Sequence, residues 1–308
     1  MDIDSGLVMK RSCADKTAQR VISVCKSTLC LLLLVAVFLA TAKSAISAPP
    51  LFFGGKQKPK AEGLNRIPMD RLDADAREKV LSVINHTSVY RKMTPQMIDC
   101  DPRYYMFLIR HPEVIVGIWQ LMDATEMTIT RDGPGRFTAT DGAGTIGNLE
   151  FLYGDQKVHI LYGKGSYTGN LTKRPIRADC LLVLHTEFVP HESGRQYVRS
   201  KMDLYVDVKN VGVDLIARTF QNLIGNTTEQ NFVETASFVT KLSRTTEENG
   251  PGVQHLASRL VEVDDDVRNE FALHAGTVYR RALLRNHTAK ATNSAIVKET
   301  PSISKERR

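Results

Sequence analysis

Tyr197-Val198-Arg199-Ser200-Lys201-Met202-Asp203-Leu204-Tyr205-Val206-Asp207-Val208 alternates two kinds of side chain over its whole length. Val198, Ser200, Met202, Leu204, Val206 and Val208 share one side, and Tyr197, Arg199, Lys201, Asp203, Tyr205 and Asp207 share the other. So regular a period of two reads as a strand with one packed and one solvated face, which places it in an antiparallel sheet. Upstream, Pro190-His191-Glu192-Ser193-Gly194 is a turn, and the apolar run Ala178 to Val189 before it is a second strand. Shorter strand-like stretches precede these at 127–130, 137–140, 145–153 and 157–162, divided by Asp132-Gly133-Pro134-Gly135, by Gly142 and Gly144, and by Gly154-Asp155. Gly163-Lys164-Gly165-Ser166 lacks the G-x-x-x-x-G-K-[ST] spacing of a phosphate loop and leads into no helix, so it reads as a strand connection. The count is about six strands.

Helical periodicity flanks this sheet on both sides. Leu72, Ala76, Val80, Val83 and Ile84 recur at helical spacing behind Asp70 and Asp73, acidic residues that suit a helix start. Asp101-Pro102 reads as a cap with proline at the first helical position, and His111-Pro112 ends that helix and opens the next. After the last strand, Val211 to Ile224 and Phe232 to Leu242 form two helical segments, parted near Gly225-Asn226. Gly250-Pro251-Gly252 separates them from a charged helical pair, the last of which starts at Asp264-Asp265-Asp266 and ends near Arg280, Arg281 and Arg285. The fold class is therefore α+β, an antiparallel sheet packed with N-terminal and C-terminal helices. The globular domain spans 69–284. Residues 48–68, rich in Pro, Gly and Lys, read as a flexible linker, and the polar residues 285–308 as a disordered tail.

In element order, the His111-Pro112-Glu113-Val114 helix, the strand pairs and the strand-to-helix passage from Tyr205 to Leu242 resemble the START-like (Bet v 1-like) helix-grip superfamily. The resemblance covers roughly residues 102–245 and carries over no individual residue. It implies a curved sheet gripping a C-terminal helix around a cavity for a lipid or other apolar molecule. Trp119, Met202, Leu204, Phe220 and Phe232 are the residues expected on such a cavity's wall.

The first 47 residues read differently. Lys10, Arg11, Lys16, Arg20 and Lys26 precede an uncharged run, Ser27 to Ala42, and Ala45-Ile46-Ser47 offers small residues at an exit. These are the three parts of a secretory signal peptide, with cleavage expected after Ser47. The run of 16 residues reaches about 24 Å, short of the ~30 Å hydrocarbon core. The expected location is secreted, periplasmic or in the cell envelope. The alternative is a single-pass anchor through residues 27–42, which would also be the chain's membrane contact. Met9 rivals Met1 as the start. Of five cysteines, Cys13, Cys25 and Cys30 fall in the leader, leaving Cys100 and Cys180 as the pair that an oxidising compartment could join.

Net charge is +7, and without the leader 35 Lys and Arg stand against 31 Asp and Glu, or +4. No dense basic patch marks a nucleic-acid surface. No catalytic signature stands out, and no cofactor is implied. His185, Glu187 and His191 are the candidate metal or acid–base set, two imidazoles and a carboxylate around one turn. The leading functional expectation is an exported, non-enzymatic binding protein for an apolar small molecule or lipid. Its rivals are an exported hydrolase or metal-dependent enzyme, and an interaction protein of the envelope.

Overall fold

In a computed structural model, residues 64–168, 175–192, 194–209 and 221–299 are described, with backbone alone for 221–227 and 289–299. The leader, residues 48–63 of the linker, Phe220 and the segment 211–220 lie outside these residues.

Among the described residues, eight strands form one curved, open antiparallel sheet: β1 (Val89–Lys92), β2 (Gln96–Ile98), β3 (Thr128–Gly133), β4 (Arg136–Thr140), β5 (Thr145–Gly154), β6 (Val158–Tyr167), β7 (Ile176–Pro190) and β8 (Gln196–Lys209). The order runs β1-β8-β7-β6-β5-β4-β3, and β2 also pairs with β8. The expected strands are there, with two additions. β1 and β2 are short and carry Arg91, Lys92 and Gln96, so no apolar period announces them; pairing along the outer edge of long β8 is what makes them strands. Gly163-Lys164-Gly165-Ser166 is not a connection but the continuation of β6, paired on both sides. Glycine is depleted in strands, yet here the ladder runs through these residues. At the β3–β4 turn Gly135 has φ +66°, a left-handed conformation in which a side chain is strained.

Six α-helices among the described residues pack on the sheet or on one another. α1 (Ala74–Asn85) starts where the Asp73 carboxylate accepts from the Ala76 N–H at 2.8 Å. α2 (Pro102–Arg110) is capped by Asp101, which accepts from the N–H groups of Arg103 (2.9 Å) and Tyr104 (3.3 Å). α3 (Pro112–Leu121) follows at once and is buried from Pro112 through Trp119. α4 (Gln221–Glu248), α5 (Gly250–Ser258) and α6 (Asp265–Glu299) complete the chain. The break expected near Gly225-Asn226 is absent: α4 runs through it, since one glycine costs a helix only about 1 kcal/mol and tertiary packing repays that. Nor does the last helix stop near Arg285. No Gly or Pro interrupts residues 277–300, and α6 propagates to Glu299 through part of the tail read as disordered.

Two apolar layers hold the sheet. The larger lies on one side, where Val198, Met202, Leu204, Val206 and Val208 of β8 meet Tyr104, Phe107, Trp119, Phe232 and Phe271. The smaller lies on the other side, where Val80, Val83 and Ile84 of α1 pack on Ile160, Leu181, Val183 and Tyr205. The face of β8 read as solvated is therefore solvated only in part. Lys201 is exposed, whereas Asp203, Tyr205 and Asp207 are buried at 3, 1 and 4 % exposure, because α1 and the residues before it lie over them. Ile67, at the end of the stretch read as linker, is already buried in this layer. Cys100 and Cys180 are both buried and remain free thiols rather than a bridge.

Candidate functional site

Where the cover of α1 ends, a cleft of about 490 Å³ opens on the outer face of the sheet. Strand register assembles it. β1 sets Lys92 opposite Asp203, and β7 sets His185 opposite Lys201. Successive outward residues of a strand lie about 7 Å apart, so Lys201 and Asp203 share the floor and His185 meets both. Arg66 reaches in from the segment before α1, and Pro95 supplies an apolar wall with the buried Met93 and Met202 behind it.

Asp203 is the hub. Its Oδ1 accepts from the Tyr90 hydroxyl at 2.9 Å, and its Oδ2 lies 3.7 Å from both an Arg66 guanidinium nitrogen and His185 Nε2. Burial, then the bond to Asp203, holds the Tyr90 phenol well above its ordinary range, so it stays a donor. Burial pulls the His185 imidazole down; Asp203 pulls it up by less, and Arg66 and Lys201 pull it down by less again. His185 is therefore neutral at pH 7, and its buried Nε2 has no hydrogen-bond partner. Arg66, Lys92 and Lys201 thus bring three obligate cations to one cleft around a single buried carboxylate.

The sequence-derived metal set is not brought together. His185 turns to Asp203, Glu187 accepts from Arg199 at 3.1 Å, and the His191 ring lies 4.7 Å from that of Tyr197. Among the described residues, no group of three His, Cys, Asp or Glu side chains is placed to hold a metal ion. The expected cavity wall fares similarly. Trp119, Met202, Leu204 and Phe232 are 2, 1, 3 and 4 % exposed, so almost none of their surface faces space that a water-sized molecule could enter. They belong to a filled core; Met202 alone also borders the outer cleft. Arg66, Tyr90 and Lys92 were not singled out in the sequence. Hairpin counting across residues 190–196 does set His185 against Lys201, and that signal leads to the cleft.

A second polar cluster lies between the β7–β8 turn and the C-terminal helices. Arg195 donates to Asp99 Oδ1 at 2.6 and 3.0 Å and to Glu247 at 2.7 and 2.9 Å. Arg244 pairs with Asp99 at 2.9 Å, Arg281 with Asp101 at 2.7 Å and Arg285 with Glu247 at 2.7 Å. Every cation here has its carboxylate. The cluster is a clasp.

No protein-family profile matches the chain, and no curated protein matches it. Among solved structures it is similar to the Mll3558 protein of Rhizobium loti, at 10 % identity over 46 % of this chain and 97 % of that one, with a TM-score of 0.27. It is also similar to a dicamba monooxygenase with non-heme iron and dicamba, at 14 % identity over 73 % of this chain and 64 % of that one, TM-score 0.32. A hypothetical protein from Helicobacter pylori gives 12 % identity over 67 % of this chain and the whole of that one, TM-score 0.32. Superpositions this loose carry no argument about chemistry, and the fold assignment stands on the strand order itself. No described helix is long and apolar enough to cross a membrane.

Proposed function

We propose that this chain is an exported, non-enzymatic binding protein whose outer cleft takes a small amphipathic anion, an apolar body ending in a carboxylate or phosphate. The observation that carries the reading is the convergence of Arg66, Lys92 and Lys201 beside Met93, Pro95 and Met202. Asp203 is matched within the site by Tyr90, Arg66 and His185, which leaves Lys92 and Lys201 to meet an incoming charge, while Pro95 and the aliphatic stems of the two lysines meet its apolar end. The leader supports export, and the long helix after the last strand supports the helix-grip resemblance; the site, however, is on the opposite side of the sheet from the cavity that the resemblance implies.

Titration calorimetry with decanoate, decyl phosphate and decanol tests the site. The two anions bind, bind more weakly as salt rises, and lose about tenfold in affinity in Lys201→Ala; decanol does not bind. Equal binding of decanol and decanoate, or no binding of either, overturns the reading. Export is tested separately, by fractionating the native host's cells and sequencing the mature N-terminus; an intact leader on a cytosolic protein removes it.

A second reading rests on the His185–Asp203 pair. A neutral imidazole beside a buried carboxylate can take a proton from a bound molecule. It predicts hydrolysis of small ester probes that His185→Gln abolishes; esters left untouched by the wild type exclude it.

A further inference from the structure

One side chain of the outer cleft can change its charge near neutral pH. His185 of β7 lines the cleft, and its Nε2 is buried and has no hydrogen-bond partner among the described residues. Asp203 Oδ2 stands 3.7 Å from that nitrogen, too far for a hydrogen bond but within reach of an ion pair once the ring is charged. Each element packed around the imidazole brings its own groups. β8 contributes Lys201 and Asp203, and the segment before α1 contributes Arg66. From β1, Lys92 lines the same cleft and Tyr90 is bonded to Asp203. β6 sets the uncharged Val158 opposite the ring. Two residues along its own strand, Glu187 is engaged by Arg199 at 3.1 Å.

Arg66, Lys92 and Lys201 outnumber Asp203, so the cleft carries an excess of positive charge while His185 is neutral. Burial opposes a second proton on the ring, Asp203 favours it, and Arg66 and Lys201 oppose it. An anion seated among the three cations offsets their charge and so removes part of that opposition. The protonated ring then has an Nε2–H for Asp203 Oδ2 to accept, the oxygen that Arg66 also approaches at 3.7 Å. Ring protonation and anion binding therefore favour each other, and each strengthens the other by the same factor. We propose that the outer cleft is a proton-coupled site, in which binding of an amphipathic anion draws one proton onto His185. The inference rests on the reading of the cleft as an anion site and adds to it a control by pH. The sign follows from the linkage. Affinity is flat at high pH, rises as pH falls through the value at which His185 titrates in the complex, and levels off below its value in the free protein.

The test uses the full mature chain and decanesulfonate, whose head stays a monoanion throughout, so that only the protein titrates. Calorimetry is expected to show affinity rising about tenfold from about pH 8 to about pH 5, the equivalent of a His185 pKa about one unit higher in the complex. The His185 imidazole resonance, followed against pH in the wild type with and without decanesulfonate, is expected to show that difference directly. His185→Gln is expected to bind with the same affinity at both pH values. The wild-type titration decides the matter if that variant does not fold. Binding without pH dependence, a pH dependence that persists in His185→Gln, or a His185 titration that decanesulfonate does not move overturns the coupling and leaves the anion site standing. No binding at either pH removes the anion site, and the coupling with it.

Discussion

The Arg195 clasp and the Asp203 cleft are made from the same kinds of side chain and behave as opposites. In the clasp, Asp99 and Glu247 are each met by more than one guanidinium, and Arg195 spends its donors on both. Bidentate geometry of this sort is strong and directional. In the cleft, Asp203 is held by Tyr90 at 2.9 Å, while Arg66 and His185 stand off at 3.7 Å and Lys92 and Lys201 face open space. A closed network stabilises. An open one keeps capacity for something else, and that contrast locates function better than charge alone.

Removing Arg195 is the strongest way to test the contrast. Arg195→Ala takes four charge-assisted hydrogen bonds from Asp99 and Glu247, whose side chains are 5 % and 14 % exposed and which keep Arg244 and Arg285, and is expected to cost roughly 3 kcal/mol, at the lower end for a broken buried pair because a guanidinium remains on each and Arg195 itself is a fifth exposed. Urea midpoints measure it. A loss below about 1 kcal/mol would mean that the clasp is a surface arrangement.

The next effect comes from pH. Burial, and then Arg110, hold the folded His159 imidazole of β6 at a pKa of about 4, whereas the unfolded one titrates near 6.5. Between those values the unfolded chain binds more protons, so stability falls as pH drops from about 6.5 towards 4 and is unaffected above 6.5. The span corresponds to about 3 kcal/mol. His159→Leu is expected to flatten that slope. At pH 7 it should leave stability equal or better, because a buried nitrogen without a partner among the described residues goes with the ring.

How far the sequence reveals these two regions follows from what each is made of. The frame was legible: the alternation of β8, the turn at Pro190–Gly194 and the Asp101-Pro102 cap all appear where the pattern puts them. The outer layer was not, because Asp203, Tyr205 and Asp207 look like solvent-facing residues, and only their partners reveal how they are buried. Asp207 is met by Lys209, and Asp203 by Tyr90, more than a hundred residues away. The sequence points to His185, but in the wrong company. Periodicity along one strand groups His185 with Glu187; the register between strands groups it with Lys201. The clasp was invisible for the same reason, since Asp99, Arg195, Glu247 and Arg285 share no local pattern.

Asp203→Asn probes the hub with a smaller change. The amide oxygen still accepts from Tyr90, so the cost is the charge alone, about 1–2 kcal/mol. The carboxylate is what pulls the His185 pKa upward, so its loss lets that pKa fall further. Imidazole shifts followed against pH measure this. A His185 titration that does not move would show that the 3.7 Å approach carries no coupling.

Lys201→Ala is expected to have the least effect on stability and is the sharpest test of the comparison. Lys201 is exposed and borders the cleft with no ion-pair or hydrogen-bond partner among the described residues, so removal should change stability by no more than about 0.5 kcal/mol. If the cleft is an open network, the same substitution must still cost decanoate and decyl phosphate about tenfold in affinity, since the loss falls on the bound state rather than on folding. Calorimetry on a variant with an unshifted urea midpoint separates the two. A variant that loses stability as Arg195→Ala does, while binding is untouched, would make the cleft a second clasp and remove the distinction between the regions.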